Sequence, residues 1–566
     1  MTQRNVTLAI VCTAVVCYAN ALTGGWTLDD PYIILGNPLV HSPTVTWAAF
    51  THPYWPSGLG WGQYRPLVIL AFALDWMVSG GAPWWFHLVN IIWHAVASVL
   101  VWRLARTLLP SAGALVAALW FAVQPVHVEA VSSVVGRSEI MAATFVLAGL
   151  LAHRQGQLRA ILWYALALLS KESGAVLIGL ALCSDLLWPP EWRARRRLYA
   201  GYVVVLAAYA AVLTALFQGR ALVQPALLWM GMPAIDRWLT MSGVIPHYVR
   251  LMIVPAQLLV DYGPAVVEPQ YGLSLSVVVG LAIVVAWVAA VAIAWRRAPV
   301  VAFGLLWFVV SVAPITNILF ASGVVLAERT LYLPSVGVAI VAGWAGDRLL
   351  TARFAVARAG LVTAGLLLAA RTWTRTPLWH SNKSLIIGSL VEEPESYRIH
   401  TLAAAVLIQG GHWHEASDQY ARARHVYAND PRSYRAGAEC ALTLHDTVTA
   451  ATLLDSAIAI GPTDAAAPLL RLADIRDGRG DWHGVLVAAR RAYALAPDSL
   501  RAVRLIQIAA NRLGDTAVVD TTFRRAIVDH PADPRLRLAY ANVLRQRGDT
   551  AGASRVGLAG IPLRSR

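Results

Sequence analysis

Long apolar runs fill residues 1–372 and constrain the fold of this chain more than any other feature. A helix needs about 20 mostly apolar residues to cross a bilayer, so each run is a candidate membrane span. The predicted spans lie near 5–23, 84–107, 111–125, 138–153, 159–171, 173–188, 198–217, 273–294, 299–317, 331–350 and 354–371. The sequence is 57% hydrophobic and 14% charged, with a mean hydropathy of +0.56. These values predict an all-α, polytopic membrane bundle with about eleven spans.

Three other stretches leave alternatives open. Residues 66–79 are too short to cross comfortably and are better interpreted as a helix lying in the interface. Residues 236–260 form an uncertain segment that two prolines interrupt. At the N-terminus, Arg4 and an apolar run precede Ala19-Asn20-Ala21, which fits either a cleaved signal peptide or a retained first span.

Arginines between the apolar runs predict the orientation. With the N-terminus in the cytoplasm, the basic clusters all fall on the cytoplasmic side, as the positive-inside rule requires: Arg103, Arg106, Arg154, Arg159, Arg193, Arg195, Arg196, Arg197, Arg296, Arg297, Arg348, Arg353 and Arg358. An odd number of spans then places everything after Arg371 outside the cytoplasm, together with loop 24–83. The net charge of +14 is therefore a topology signal, and nucleic acid is not a predicted partner.

The positions and numbers of cysteines and lysines limit the cellular compartment and the chemistry that the sequence predicts. Three cysteines lie inside apolar runs and the fourth is isolated, which predicts neither a disulfide framework nor a metal site: Cys12, Cys17, Cys183 and Cys440. Lysine occurs only at Lys171 and Lys383, a bias typical of a GC-rich, bacterial genome. We therefore predict a bacterial inner-membrane protein.

The C-terminal part has an internal period. Gly480-Asp481, Gly514-Asp515 and Gly548-Asp549 recur every 34 residues, and the same spacing extrapolates back to Asp446 and His412. This is the spacing of tetratricopeptide repeats, in which paired helices stack into a solenoid that commonly binds extended peptide. The predicted domains are a membrane domain at 1–372, a linker at 373–393 and a repeat domain at 394–566. A helical lid without a ligand is the alternative.

Two adjacent acids, Asp29 and Asp30, follow the first span and form the candidate chemical centre. Adjacent carboxylates repel one another and are costly to desolvate, so they favour a polar, functional boundary, although two solvated loop acids are the alternative. Four cations fall at the same predicted membrane face: Arg65, Arg137, Lys171 and Arg329. Together they suit the phosphate of an anionic lipid head group. Each could instead be a snorkelling base or an ion-pair partner of Glu129, Glu139, Glu172 or Glu328.

The order of the motifs resembles a known family. The motifs are Leu28-Asp29-Asp30, Tyr64-Arg65-Pro66-Leu67, Phe86-His87-Leu88-Val89-Asn90, Pro125-Val126-His127-Val128-Glu129, Gly136-Arg137-Ser138-Glu139, Ser170-Lys171-Glu172 and Ala327-Glu328-Arg329 to Pro334, followed by the repeats. This order resembles the transmembrane and tetratricopeptide-repeat-containing O-mannosyltransferases and their bacterial relatives, which belong to the GT-C class of membrane glycosyltransferases. The resemblance covers essentially the whole chain.

The resemblance implies transfer of a mannose-like hexose, with inversion, from a polyprenyl-phosphate donor to a hydroxyl group, here Ser or Thr of an exported protein. It implies that Asp29 is the general base and that Asp30 positions the acceptor or tunes its neighbour. The four cations would stabilise the departing phosphate, and the repeats would present polypeptide. The predicted supporting residues are His127, Glu129, Glu139, Glu172, Glu328 and Tyr332. Gln124 stands where the family usually has a histidine, and neither a cofactor nor a metal is predicted.

Two other functional classes fit parts of the sequence. A non-enzymatic membrane scaffold would use the repeats to recruit partners, but it leaves about eleven spans and the charge cluster without a role. A transporter would carry charges near the middle of its spans, whereas Asp75 and Asp185 lie near predicted ends. An enzyme is therefore the leading interpretation.

Overall fold

The computed structural model describes residues 2–42, 46–56, 62–218, 225–351, 355–531 and 533–558. Within these ranges all regular elements are helices, as the hydropathy pattern predicts. The chain divides into two compact units, Met1–Ser396 and Tyr397–Arg566. Arg353, one of the predicted cytoplasmic arginines, lies outside the described residues.

The first unit, called the membrane unit here, contains sixteen α-helices in its described part. They are α1 (Gln3–Tyr18), α2 (Pro38–His41), α3 (Pro66–Ser79), α4 (Pro83–Ala105), α5 (Ser111–Ala122), α6 (Val128–Ser132), α7 (Arg137–Arg154), α8 (Arg159–Ser170), α9 (Leu177–Leu187), α10 (Trp192–Phe217), α11 (Ala234–Ile253), α12 (Leu275–Arg297), α13 (Pro299–Val312), α14 (Ser335–Thr351), α15 (Ala355–Arg375) and α16 (Asn382–Glu392). Each predicted span therefore coincides with at least one helix. The predicted linker, 373–393, contains the 3₁₀ turn Thr376–His380 and the whole of α16.

Fewer helices than predicted are long and apolar enough to cross a bilayer. Among the described residues there are six, or seven if the bent pair Ser111–Ala122 and Pro125–Ser132 counts as one span. Short helices account for the difference from the predicted number. The 12 residues of α8, for example, extend only about 18 Å, against a hydrocarbon core about 30 Å thick.

Local sequence sets the limits of several membrane-unit helices. Pro66 begins α3, where its missing N–H costs nothing, and Gly80 ends it with a left-handed φ of 61°. The uncertain segment 236–260 is helical up to Ile253, in α11, which continues through Pro246 and ends two residues before Pro255. Glycines also let helices approach closely: a Cβ on Gly304 of α13 would lie 2.6 Å from the carbonyl oxygen of Gly337 in α14.

The second unit, called the solenoid here, contains ten α-helices in five consecutive pairs within its described part. They are α17 (Tyr397–Gln409), α18 (Trp413–Val426), α19 (Pro431–Thr443), α20 (Thr447–Ile460), α21 (Ala466–Gly478), α22 (Trp482–Leu495), α23 (Leu500–Arg512), α24 (Thr516–Asp529), α25 (Pro534–Gln546) and α26 (Thr550–Leu558). Small side chains, including Ala457, Ala492 and Ala526, are buried between the helices. This is the helix-pair organisation that the 34-residue period predicts.

A left-handed residue lies in the turn within each pair, and in four of the five pairs a helix-capping aspartate follows it. Gly480, Gly514 and Gly548 have φ of 73°, 74° and 85°. Asp481, for example, accepts a hydrogen bond from the amide of Gly484, three residues further on in the helix that it caps. His445 occupies the glycine position of the second pair with φ of 62°. That pair is one residue longer than the others because the 3₁₀ turn Pro462–Asp464 follows it.

Candidate active site

The segment that carries the two predicted catalytic acids has a strained backbone. Leu28 has φ of 48°, in the left-handed region that costs a residue with a Cβ about 1 kcal/mol. A tight turn follows, in which the Asp30 amide donates to the Thr27 carbonyl at 2.9 Å. The two acids end in different surroundings, because Asp30 is buried and Asp29 is partly exposed. Strain of this kind persists only where surrounding contacts hold it.

Asp30 connects the loop to a neighbouring turn. One carboxylate oxygen accepts from the Thr27 amide at 2.9 Å and from the Thr27 hydroxyl at 3.2 Å. The other accepts from the amide of Val135 at 2.9 Å. Burial raises the pKa of Asp30 to about 7, even though these three donors favour its charged form. Its contacts are those of a structural residue that fixes the loop beside its neighbour.

Asp29 differs from Asp30 in the contacts of its carboxylate. Among the described residues its carboxylate has no hydrogen bond or ion pair, and its partners are limited to the backbone, where its carbonyl accepts from Tyr32 and Ile33. Its charge nevertheless lies within electrostatic range of Asp30 and of Arg329. A partly exposed carboxylate without an internal partner can take up a proton from a ligand.

A segment that sequence reasoning treated as a linker holds this loop in place. The Leu28 amide donates to the side-chain oxygen of Asn382 at 2.8 Å. The Gly25 amide donates to the carbonyl of His380 at 2.8 Å, and the His380 ring bonds the carbonyl of Asn20 at 2.9 Å. These contacts support the left-handed Leu28. The sequence motifs contain no signal for them, because more than 350 residues separate the partners.

Two of the predicted cations share one group of acids. Arg65 donates to Glu172 at 3.1 Å and to Ser138 at 3.4 Å. Lys171 forms an ion pair with Glu139. The Arg65 side chain is 11% exposed and that of Lys171 13%, so both are largely withdrawn from solvent.

Arg329 is held by a single glutamate, Glu129. Its guanidinium pairs with one carboxylate oxygen, and its backbone amide donates to the other at 2.8 Å. The Arg329 side chain is 29% exposed, whereas that of Glu129 is 4% exposed. The Arg329 side chain therefore stays partly exposed while the buried glutamate fixes its position.

Glu139 joins these groups. It pairs with Lys171 and lies within electrostatic range of both Arg65 and Arg329. Three of the four predicted cations are therefore grouped around the Glu139 carboxylate. Asp29 is within electrostatic range of one of them, Arg329. We call Asp29, Arg65, Lys171, Arg329 and Glu139, with Glu129 and Glu172, the charged cluster.

Arg137, the fourth cation, is enclosed in the protein. Its side chain is fully buried and pairs with Asp75. It also donates to Asn90 at 2.7 Å and to the carbonyl of Phe86 at 2.9 Å, and it stacks over Phe72 at 4.7 Å. Every nitrogen of its guanidinium has a partner, which favours a structural role over direct phosphate binding.

Asn90 and Gly136 stabilise the turn that carries Val135, whose amide donates to Asp30. The Asn90 amide donates to the carbonyls of Val131, Ser133 and Val134 at 3.1 to 3.3 Å. A Cβ on Gly136 would lie 2.2 Å from the Ala130 carbonyl oxygen, so this close approach requires glycine. The turn that donates to Asp30 depends on both residues.

The predicted supporting residues His127 and Tyr332 lie in a buried aromatic group. The His127 ring is bonded to the hydroxyl of Ser335 at 2.8 Å and lies 4.5 Å from the Tyr332 ring. The Tyr332 hydroxyl is bonded to His94 at 2.8 Å. These contacts are those of a packed core.

Glu328 is bonded to a loop instead of a base. Its carboxylate accepts from the Leu259 amide at 2.6 Å and from the Tyr262 hydroxyl at 2.9 Å. Burial raises the pKa of Glu328 to about 8, against the opposing effect of Arg375. Sequence reasoning missed Tyr262 and Leu259 as partners because loop 254–274 contains no recognisable motif.

No set of three metal-binding side chains comes together in the described ranges. That no metal takes part stays a prediction.

Comparison with known proteins indicates similarity to mannosyltransferases, the same class that the order of the motifs suggests. The family described as dolichyl-phosphate-mannose-protein mannosyltransferase matches residues 65–215, a range that contains Arg65, Arg137 and Lys171. A solved tetratricopeptide repeat protein from Parabacteroides merdae is 16% identical and covers 38% of this chain and 77% of its own, with a TM-score of 0.25. That score is too low to support an argument from its structure.

Curated relatives match over most of this chain. A protein O-mannosyl-transferase of Caenorhabditis elegans is 27% identical over 73% of this chain and 61% of its own length. The Homo sapiens protein O-mannosyl-transferase TMTC1 is 26% identical over 73% of this chain and 54% of its own length. The chain thus spans somewhat more than half the length of these relatives. The ordered motifs, the repeats and these matches together make the chain similar to the transmembrane, tetratricopeptide-repeat O-mannosyltransferases.

Proposed function

We propose that the chain is an integral membrane glycosyltransferase of the GT-C class. It transfers a mannose-like hexose from a polyprenyl phosphate to a Ser or Thr hydroxyl of an exported protein, with inversion. The observation that carries this proposal is Asp29, a carboxylate without an internal partner, within electrostatic range of an accessible Arg329 and beside a group of buried cations.

Asp29 is the general base in this proposal. The acceptor oxygen attacks the anomeric carbon, and its proton passes to the Asp29 carboxylate as the new carbon–oxygen bond forms. The bond from that carbon to the phosphate oxygen breaks on the opposite side, so the configuration inverts. The bonding electrons leave with the polyprenyl phosphate.

The departing phosphate gains one negative charge, which the cations of the charged cluster stabilise. Arg329 is the principal ligand because its side chain is the most exposed of the three. Lys171 is held by Glu139, so its charge is already in place before the reaction, whereas Arg65, paired with Glu172, turns toward the phosphate as the donor binds. Arg137 acts as a positioning residue, because it ties α7 to α3 and α4 from within the core.

The proposal includes the membrane arrangement predicted from the sequence. About eleven segments cross or enter the inner membrane of a bacterium, with the N-terminus in the cytoplasm. The charged cluster and the solenoid are then outside the cytoplasm, and the solenoid binds the polypeptide acceptor. Relatives named as protein O-mannosyl-transferases support a protein acceptor.

The direct test is Asp29→Asn in membranes supplied with polyprenyl-phosphate mannose and an acceptor protein. Loss of the base should lower the rate of transfer by about a hundredfold or more, at equal protein level. Glu268→Gln is the matched control, because Glu268 is an exposed carboxylate of loop 254–274. It should transfer at the wild-type rate.

Two results would contradict the proposal. Undiminished transfer by Asp29→Asn would remove Asp29 from the chemistry. A wild-type protein that transfers no hexose but still retains envelope proteins through its repeats would instead support the scaffold interpretation.

A further inference from the structure

Two polar atoms on neighbouring side chains at the charged cluster are buried without hydrogen-bond partners among the described residues. They are the hydroxyl oxygen of Tyr54 and the Nε atom of Arg65. The Arg65 guanidinium lies over the Tyr54 ring, 5.1 Å from its centroid. Buried polar atoms usually have hydrogen-bond partners, so two adjacent exceptions call for an explanation.

The Tyr54 ring is fixed from several sides. Its backbone amide donates to the Gln63 carbonyl at 2.6 Å. The ring belongs to a buried apolar cluster that includes Ile33, Phe72 and Phe86. The position of the hydroxyl is therefore set by packing, and its lack of a partner is not a consequence of a loose side chain.

Charges of both signs lie near Tyr54. Asp29, Asp30, Arg65 and Arg137 all lie within electrostatic range of Tyr54. The tyrosine is therefore near both the acid proposed to activate the acceptor and a cation proposed to hold the donor phosphate. In an inverting displacement the transferred sugar occupies the space between the attacking oxygen and the leaving phosphate.

We propose that Tyr54 is a specificity-determining residue, whose hydroxyl forms a hydrogen bond with a ring hydroxyl of the transferred hexose. This inference rests on the proposed function. When Arg65 turns toward the donor phosphate, its Nε atom gains a partner and the face of the Tyr54 ring is uncovered. The sugar then supplies the partner that the hydroxyl lacks in the unliganded protein.

Tyr54→Phe tests the unliganded state first. Removing an unsatisfied buried hydroxyl should leave Tm unchanged or raise it. Tyr248→Phe is the matched control, since that hydroxyl is also buried without a partner but lies in an apolar cluster with Met241 and Leu251. A Tm for Tyr54→Phe clearly below both the wild type and Tyr248→Phe would overturn the inference, because it would reveal an internal partner.

Donor analogues test the ligand. With polyprenyl-phosphate mannose, Tyr54→Phe should lower kcat/KM about tenfold, whereas Tyr248→Phe should not change it. With mannose analogues that each lack one hydroxyl, one analogue should react equally well with Tyr54→Phe and with the wild type. An equal loss with every analogue would show that no sugar hydroxyl contacts Tyr54.

Binding separates this inference from the proposed reaction. Polyprenyl-phosphate mannose should raise the Tm of the wild type, and raise that of Tyr54→Phe less. If the wild type shows this shift but transfers nothing, the reaction is wrong and the Tyr54 contact stands. If the donor produces no shift in the wild type, both are overturned.

Discussion

The acids that cap helices in the solenoid find their partners close by in sequence, whereas the acids that pair with predicted cations in the membrane unit find them far away. Asp446, Asp481 and Asp515 each accept from an amide three residues further on. In the membrane unit, Arg65 and Glu172 are 107 residues apart and Arg329 and Glu129 are 200 apart. When the partner is local, the role of an acid can be predicted from the repeat pattern in the sequence. When the partner is distant in sequence, only the folded structure shows it.

The two units also differ in how they use ion pairs. Arg137 and Asp75 of the membrane unit are 0% and 8% exposed. Arg471 and Glu439 of the solenoid are 43% and 45% exposed, although their geometry is bidentate, at 2.7 and 2.6 Å. Burial, not the number of hydrogen bonds, should decide how much each pair matters.

The largest expected effect on stability comes from removing the arginine of the buried ion pair, compared with that of the exposed pair. Arg137→Met leaves Asp75 buried without its counter-charge and should destabilise the membrane unit by about 3–5 kcal/mol. The matched change in the solenoid, Arg471→Met, should cost less than about 1 kcal/mol, because solvent screens the exposed pair. Unfolding of each unit in detergent measures both. Equal losses would show that burial does not distinguish the two pairs.

The second effect depends on pH. Folding raises the pKa of Asp30 from its usual value near 3.8 to about 7, so the folded protein binds a proton more tightly than the unfolded chain. Stability should therefore decline as pH rises from about 4 to about 7 and then level off. Asp30→Asn should remove this part of the pH dependence, as thermal unfolding across that range would show. The same slope in the variant would assign the titration to another group.

A smaller effect is expected from the contact that supports Leu28. Asn382→Ala removes the acceptor of the Leu28 amide and should lower kcat about tenfold with little change in the KM for the acceptor protein. Hydrogen exchange of the amides near Asp29 should accelerate. Asn382→Asp retains the acceptor oxygen and should restore slow exchange, which separates positioning of the loop from general destabilisation. Unchanged exchange in the alanine variant would contradict this role.

The smallest effect lies in the solenoid turns. His445 has a left-handed φ of 62° at a position where other repeats have glycine, so His445→Gly should stabilise the solenoid by up to about 1 kcal/mol. Gly514→Ala makes the opposite change and should destabilise it by about 1 kcal/mol. Denaturant unfolding compares the two. A destabilised His445→Gly would show that the histidine side chain has contacts that outweigh the backbone strain.

Much of the helical architecture could be predicted from the sequence. The repeat spacing depends on glycine turns and capping aspartates, both of which act locally, so it located the solenoid pairs to within about one residue. Hydropathy predicted helices in the membrane unit because apolar segments must satisfy their own backbone hydrogen bonds. It could not fix the number of spans, because short helices such as α8 and α9 are apolar without being long enough to cross alone.

The candidate site could be predicted only in part. Charge signs and positions indicated Arg65, Lys171 and Arg329, and the alternative that acids pair with bases also describes their contacts with Glu172, Glu139 and Glu129. The partner of Arg137 was missed, because Asp75 is 62 residues away on a helix interpreted as interfacial. Tyr54 and Asn382 were missed as well. An unpaired hydroxyl and a support from a distant helix have no sequence signature.

The most direct measurement of the central claim is a cryo-EM structure of the full chain with a non-transferable polyprenyl phosphonate analogue of the donor. The account predicts phosphonate density within hydrogen-bonding distance of Arg329 and the anomeric carbon facing Asp29, with Arg65 moved from its position over Tyr54. Density for the phosphonate away from Asp29, Arg65 and Arg329 would contradict it.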